Sequence, residues 1–162
     1  MPREYPKQPI VGVGAVVLQG DRVLVIRRAN EPDRGRWAIP GGGVEVGETL
    51  AAAARREVAE ECGLEVRIGD VSAVYDLILP DAQGRTRFHY VLVHFRAYYQ
   101  GGEIRTGSDS LEARWATWDE IQSLDMPDRV RRLIGRALSR ADTETPDRQI
   151  YVQPLTQPAE PE

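Results

Sequence analysis

The segment Gly42–Leu64 (GGVEVGETLAAAARREVAEECGL) constrains the fold more than any other, because it predicts a turn followed by a helix with both ends marked. Thr49 can cap the helix N-terminus by accepting a hydrogen bond from the first turn. Gly63 stands just past the C-terminus, where a left-handed residue is favoured. A run of four alanines and other strong helix formers fills the interval. The rest of the chain therefore has to be arranged around this helix.

Apolar segments on both sides of the helix predict strands. Ile10–Leu18 and Arg22–Arg28 flank a glycine-containing turn and predict a hairpin, and Val66–Leu79 and Thr86–Tyr99 predict two more strands. The remaining elements are a short strand ending at Pro40 and a permissive loop of three glycines, a strand over Ala113–Trp118, and helices in WDEIQSL and PDRVRRLIGRALSR. The order β-β-loop-β-α-β-β-β-α-α predicts an α+β fold with a mixed sheet.

The length of 162 residues predicts one domain over residues 1–140, followed by a proline-rich tail over residues 141–162. The net charge of −4 gives no general attraction for nucleic acid or a membrane surface, so neither is expected as a partner. Cys62 is the single cysteine, which excludes an internal disulfide and fits a reducing compartment. With no apolar run long enough to span a bilayer, a cytoplasmic protein is expected. The tail makes a homodimer with an exchanged arm conceivable.

Glu57, Glu60 and Glu61 form an acidic cluster that the rules of helix stability disfavour. At about 100° per residue, they lie within roughly 100° of arc beside the apolar stripe. Like charges at this spacing repel by roughly 0.2–0.5 kcal/mol per pair, and a negative charge in the last turn opposes the helix dipole. One interpretation is a solvated acidic face neutralised by Arg55 and Arg56. The other is a site for a hard divalent cation such as Mg²⁺, which prefers oxygen ligands.

The loop before the helix favours the second interpretation, because flexible backbone at a helix N-terminus is a usual phosphate site. Gly42 and Gly47 match the glycines of a P-loop, but Glu48 stands where that loop has its lysine and would repel phosphate. An ATPase-type loop is therefore disfavoured. Arg56 follows Glu48 by about two helical turns, so the two side chains can form an ion pair that pins the loop to the helix.

The same residues resemble the signature of the Nudix hydrolase family, G-x5-E-x7-R-E-U-x-E-E-x-G-U, in which U is a bulky aliphatic residue. Every fixed position is matched, by Gly42, Glu48, Arg56, Glu57, Val58, Glu60, Glu61, Gly63 and Leu64. A looser resemblance runs from about Gly12 to Leu138. The resemblance implies an α/β/α sandwich around a mixed sheet. It also implies a hydrolase that uses Mg²⁺, or alternatively Mn²⁺, to cleave nucleoside diphosphates linked to another group.

The resemblance implies roles for residues by their position in the signature. Glu57 and Glu61 correspond to metal ligands, and Glu60 to a ligand or a base. The residue before the first signature glycine, Gly41, corresponds to a ligand through its backbone carbonyl. Glu48 and Arg56 correspond to an ion pair that shapes the loop, and Gly42 is a loop-shaping glycine.

A further base is often supplied from outside the helix in this family. The candidates here are Glu112 and Asp109, in the stretch TGSDSLEARW before a predicted strand. The alternative interpretation of that stretch is a polar loop without a catalytic role.

The substrate is suggested by three other stretches, RRANEPDRGRWAIPGGGVEVGET, FHYVLVHF and LEARWATWDEI. Together they are similar to short Nudix enzymes classed as ADP-ribose pyrophosphatases, which implies cleavage of ADP-ribose to AMP and ribose 5-phosphate. One alternative is a nucleoside triphosphate pyrophosphohydrolase, including the removal of oxidised nucleotides. Another is a nucleotide-sensing domain without catalysis, although such members commonly lose a metal-binding glutamate and this chain keeps all three.

Aromatic and arginine side chains on the predicted strands are candidates for the substrate pocket. Core aromatics and solvated arginines are the alternative for each one. His89 and His94 have opposite parity on one strand and are predicted to be structural, and Cys62 is predicted to fill the core. The pocket candidates are Arg27, Tyr75, Arg87 and Phe88, with Arg28, Trp37 and Tyr90 as further possibilities.

Overall fold

A computed structural model describes residues 2–139 and the backbone of residues 155–156, and this part of the chain contains eight strands and three helices. They run in the order β1 Ile10–Gln19, β2 Arg22–Arg28, β3 Trp37–Ala38, β4 Gly41–Gly43, α1 Leu50–Cys62, β5 Leu64–Pro80, β6 Thr86–Gly102, β7 Ser110–Thr117, α2 Trp118–Ser123, α3 Asp128–Ser139 and β8 Leu155–Thr156.

Strand β1 organises one mixed sheet, whose order is β3-β2-β1-β6-β5-β8. It runs parallel to β6 from the Ile10–Tyr90 pair to the Leu18–Tyr98 pair. Its other edge is shared, because β4 pairs with it near Gly12 while β2 pairs with it at Leu18 and Gln19. Strand β7 adds to β2. The predicted α+β fold with a mixed sheet is confirmed, and the hairpin of β1 and β2 is present as predicted.

Helices cover both faces of the sheet because successive residues of a strand point to opposite faces and apolar residues occur on both. Val58 and Cys62 of α1 are fully buried in a cluster with Val17 and Leu24 on one face. On the other face, α3 packs its apolar stripe, which includes Leu133 and Ile134, against a second buried cluster. This is the α/β/α layering that the resemblance implied. Within the described residues, no helix is both long and apolar enough to cross a membrane.

The three glycines Gly41–Gly43 form strand β4, so the predicted loop at this point is wrong. None of the three has a positive φ angle. What they provide is the absence of a side chain, since a Cβ at Gly41 would lie 2.2 Å from the carbonyl oxygen of Val13. A Cβ at Gly42 would lie 2.5 Å from the carboxyl group of Glu57. The glycines therefore let β4 approach both β1 and α1 closely.

Both predicted ends of α1 are present. The hydroxyl of Thr49 accepts a hydrogen bond from the amide of Ala52 at 3.1 Å. Gly63 ends the helix with a φ of 71°, and its amide donates to the carbonyl of Ala59. Thr49 and Gly63 therefore fix which residues of α1 face the sheet.

The proline-rich tail predicted over residues 141–162 lies outside the described residues except for β8. That short strand pairs in parallel with Leu77 and Ile78 at the free edge of β5. The homodimer with an exchanged arm stays a prediction.

Candidate active site

Two glutamates of α1 are buried between the helix and β4, and the third is exposed. Glu57 and Glu61 are 9% and 5% exposed, whereas the side chain of Glu60 is 61% exposed. The backbone amide of Gly41 donates to the Glu61 carboxylate at 2.9 Å. The close approach of β4 to α1 therefore brings the glycine backbone into contact with the buried acids.

Arg56 is the centre of an ion-pair network that joins the loop to the helix. Its guanidinium group pairs with Glu48 at 2.6 Å and with Glu57 at 2.8 Å. The same group contacts Glu60 at 3.2 Å and donates to the carbonyl of Gly43 at 3.0 Å. The ion pair predicted between Glu48 and Arg56 is thus present, and the hydrogen bond from Arg56 lowers the pKa of Glu48 to about 2.

Backbone carbonyl groups at the C-terminal end of α1 accept hydrogen bonds from the segment that leads into β7. The carbonyl of Glu61 accepts hydrogen bonds from the amide of Gly107 at 3.0 Å and from the hydroxyl of Ser110 at 2.9 Å. The carbonyl of Cys62 accepts from the amide of Arg105 at 2.9 Å. These bonds hold the segment beside the glutamates.

Asp109 belongs to that segment and lines the same cleft as Glu57 and Glu61. The side-chain amide of Asn30 donates to its carboxylate at 2.8 Å. Its charge is close enough to raise the pKa values of both buried glutamates. Asp109 is therefore a further carboxylate of the site.

Glu112 lies outside the cleft that the two buried glutamates line. It stands opposite Arg27 in the pairing of β7 with β2. The two exposed side chains form an ion pair at 3.1 Å. Cross-strand pairing therefore occupies both Glu112 and Arg27 on the surface of the sheet.

The buried acids are destabilised as anions, and the cause is mainly desolvation. Burial raises the pKa of Glu61 to about 8, although the hydrogen bond from Gly41 opposes the rise. Burial also raises the pKa of Glu57, against the effect of Arg56. Buried carboxylates in this situation are stabilised by a cation.

The donor chemistry fits a hard divalent cation, because the side chains at this end of the cleft offer carboxylate oxygens. Within residues 2–139, no three Asp, Glu, His or Cys side chains converge closely enough to hold a metal. Arg56 holds Glu57 and Glu60, while the amide of Gly41 holds Glu61. Metal binding would therefore require the glutamates to exchange these partners.

From the carboxylates, the cleft extends across the face of the sheet that α3 covers. Two glycines of β1 make room for its wall, since a Cβ at Gly12 would lie 2.7 Å from Leu92 and one at Gly14 would lie 2.4 Å from His94. The wall is aromatic and apolar on the strands, and polar on the loop and on α3. The lining residues include Arg28, Asn30, Asp33, Tyr75, Leu77, Tyr90, Leu92, His94 and Arg129.

Some pocket candidates lie in the cleft and others do not. Tyr75, Tyr90 and Arg28 line it, whereas the lining excludes Arg27, Arg87, Phe88 and Trp37. Arg87 pairs with Glu4 at 3.0 Å and lies over the ring of the buried Phe88, which removes both from the cleft.

Cys62 is fully buried in the core, where burial raises the pKa of its thiol to about 12. His94, predicted to be structural, lines the cleft. Asn30, Asp33 and Arg129 were missed, because they come from a loop and a distant helix that no local pattern connects.

Comparison with known proteins agrees with this geometry, since the family model for the NUDIX domain matches residues 8–136. The chain belongs to the Nudix family. It is 34% identical over 116 residues to a Methanocaldococcus jannaschii protein named ADP-ribose pyrophosphatase, covering 72% of this chain and 66% of that protein. It is 40% identical over 124 residues to a Mycobacterium tuberculosis protein provisionally named 8-oxo-dGTP diphosphatase 2, covering 72% of this chain and 78% of that protein.

A solved structure shares the fold of this Nudix domain. The crystal structure of a NUDIX hydrolase from Nitrosomonas europaea superposes with a TM-score of 0.72 at 27% identity, covering 94% of this chain and 82% of that chain. In the present chain, the signature residues run from β4 through the following loop and along α1 to the start of β5. They therefore surround the buried carboxylates at one end of the cleft.

The pKa of Glu61 predicts how the stability of the metal-free Nudix domain depends on pH. The folded state keeps a proton up to about pH 8, whereas the ordinary pKa is 4.5. The free energy of unfolding should therefore fall as the pH rises between these two values. Glu61→Gln should remove the contribution of this residue to the pH dependence of the free energy of unfolding. That contribution is on the order of a few kcal/mol, at about 1.4 kcal/mol per pKa unit.

Urea denaturation with a chelator present, near pH 5 and near pH 8, measures the effect. The control is Glu65→Gln, at an exposed position of β5, which should keep the pH dependence of the wild type. The same dependence in wild type and Glu61→Gln would contradict the assignment of a buried proton to Glu61.

Proposed function

We propose that this Nudix protein hydrolyses the pyrophosphate bond of a nucleoside diphosphate derivative with the help of Mg²⁺, with Mn²⁺ as the alternative ion. The observation that supports this most is the pair of buried glutamates, Glu57 and Glu61, at one end of a cleft with an aromatic wall. Burial leaves these carboxylates short of positive charge, and a cation that also binds the diphosphate of a substrate would supply it.

The residues proposed to hold the metal are Glu57, Glu60 and Glu61, together with the backbone carbonyl of Gly41. When bound, such an ion neutralises phosphate oxygens and lowers the pKa of a bound water. Arg56 would remain paired with Glu48 and keep the loop in place as it releases the other glutamates. Gly42 lets the backbone of β4 lie against Glu57, where a side chain would clash with the carboxyl group.

A carboxylate of the site would take the proton from the attacking water. Glu60 is one candidate, because its side chain is exposed and contacts the cluster through Arg56. Asp109 is the other, and it replaces Glu112 because it lines the cleft and is oriented by Asn30.

The first substrate proposed is ADP-ribose, cleaved to AMP and ribose 5-phosphate. The relative from Methanocaldococcus jannaschii supports this choice by its name. The second candidate is a nucleoside triphosphate, including oxidised forms, which the name of the Mycobacterium tuberculosis relative favours. A sensing role without catalysis is disfavoured because Glu57, Glu60 and Glu61 are all present.

Purified protein with Mg²⁺ and either ADP-ribose or a panel of triphosphates, including 8-oxo-dGTP, should separate these substrates. Release of AMP and ribose 5-phosphate, measured by chromatography, is the expected result. A preference for triphosphates with release of pyrophosphate would select the second candidate. No hydrolysis of any of these compounds would overturn the proposed function.

Glu57→Gln and Glu61→Gln should each lower kcat by several orders of magnitude, because each removes a carboxylate from the metal site while preserving its shape. The fold should stay intact, since glutamine keeps the size of the side chain and can still accept a hydrogen bond. Activity assays with circular dichroism on the same samples measure both effects, and Glu65→Gln is the matched control. Loss of folding together with activity would show that the glutamates are structural.

Asp109→Asn and Glu112→Gln compare the two candidate bases directly. Asp109→Asn should lower kcat by roughly 10²- to 10⁴-fold, the usual contribution of a general base. Glu112→Gln should leave kcat near that of the wild type, because its side chain is paired with Arg27 outside the cleft. The opposite ranking of the two variants would assign the role to Glu112.

A further inference from the structure

At the wall formed by β5, β6 and α3, the cleft has a polar corner that the proposed reaction does not use. We define this corner as Asp33, Tyr75, His94 and Arg129, which all line the cleft. Tyr75, His94 and Arg129 are 5%, 6% and 8% exposed, respectively. The rings of Tyr75 and His94 lie 5.1 Å apart, centroid to centroid.

Arg129 has one partner in the corner and one buried nitrogen without a partner. Its Nη2 donates to the carboxylate of Asp33, which links α3 to the loop before β3. Its Nη1 is buried and has no hydrogen-bond partner among the described residues. The Nδ1 atom of His94 is in the same situation. Such groups are uncommon in native proteins, because a buried donor or acceptor without a partner destabilises the fold.

The corner is electrically balanced, which argues against a phosphate as its ligand. The charge of Arg129 is matched by Asp33. Arg36, which also contacts Asp33, is paired with Asp125 at 3.1 Å. Burial and the neighbouring charge of Arg129 lower the pKa of His94 to about 3, so this imidazole stays neutral. The corner therefore suits an uncharged group that can accept hydrogen bonds.

We propose that Tyr75, His94 and Arg129 form the subsite for the nucleobase of the substrate, with Arg129 donating to a ring nitrogen or a carbonyl oxygen. A nucleobase is flat and uncharged, and its edge carries such acceptors. The aromatic side chains of Tyr75 and Tyr90 line the same cleft and offer surface against which the ring can pack. This proposal rests on the proposed function, because it assumes a nucleotide substrate whose phosphates lie at the carboxylate end.

The test compares two kinds of ligand that differ in the presence of a base. The nucleoside monophosphates AMP, GMP, UMP and CMP carry a base, whereas ribose 5-phosphate does not. Calorimetry with Mg²⁺ would measure the Kd of each ligand for wild type and for Arg129→Lys, which keeps a charge for Asp33 but lacks the fork of the guanidinium. The matched control is Arg132→Lys, an exposed position on the same helix and outside the cleft.

The wild type should bind at least one nucleoside monophosphate more tightly than ribose 5-phosphate. Arg129→Lys should weaken that nucleotide roughly tenfold or more, the usual effect of losing a hydrogen bond to a charged donor. It should leave ribose 5-phosphate unchanged, and Arg132→Lys should change neither. Should Arg129→Lys fail to fold, Tyr75→Leu replaces it, because it removes aromatic surface from the subsite, with a smaller loss expected for the nucleotide alone.

Three results would overturn the subsite. They are equal weakening of both ligands, the same nucleotide affinity in Arg129→Lys and Arg132→Lys, and a wild type that does not distinguish the nucleotides from ribose 5-phosphate. Because binding is measured without turnover, failure of the subsite is distinguishable from failure of the proposed hydrolysis, which the wild-type activity assay reports separately.

Discussion

The arrangement of the site depends on a single guanidinium group. Arg56 contacts Glu48, Glu57, Glu60 and the backbone of Gly43, so it ties β4, the loop after it and α1 together. An arginine can do this because its planar fork carries five donors, whereas a lysine would offer one point charge. The acidic cluster that the rules of helix stability disfavour is thus partly neutralised by an arginine of the same helix, and this arginine also fixes the loop.

Close packing of backbone is the second condition for the site. Gly41 and Gly42 bring β4 against β1 and α1, and Gly12 and Gly14 let the side chains of β6 lean over β1. These four glycines line the cleft, which is also lined by the buried carboxylates of α1 and by residues of α3. Larger residues at these positions would separate the two ends of the cleft.

Sequence reasoning located what short-range rules determine and missed what the tertiary fold brings together. The ends of α1 and the ion pair of Glu48 with Arg56 follow from capping and helical spacing. Asp33 and Arg129 meet across 96 positions of sequence, and no local pattern relates them. The alternation of residues along β6 predicts which side chains share a face of the sheet. It does not predict that the ring of Phe88 is covered by Arg87 and so is not available to a ligand.

The same limit explains why the sequence did not separate Asp109 from Glu112 and why it predicted a loop at the three glycines. Asp109 and Glu112 are near neighbours in the sequence, and only the register of β7 against β2 shows that Glu112 meets Arg27. From the sequence alone, a glycine that is needed for its conformational freedom cannot be distinguished from one that is needed because it has no side chain. The structure separates them, because Gly47 has a φ of 89° in the loop whereas Gly41–Gly43 have no positive φ angle.

The two ends of the cleft differ in charge balance, and this difference suggests how a nucleotide would be oriented. At the carboxylate end, the buried acids repel a diphosphate until a cation is present. In the corner of Asp33 and Arg129 the charges are already paired, so an uncharged ring meets no such barrier. A bound nucleotide would thus have its phosphates directed by the cation and its base by hydrogen bonds. Reversing the molecule would place phosphate beside the carboxylate of Asp33, whose ion pair already uses the charge of Arg129.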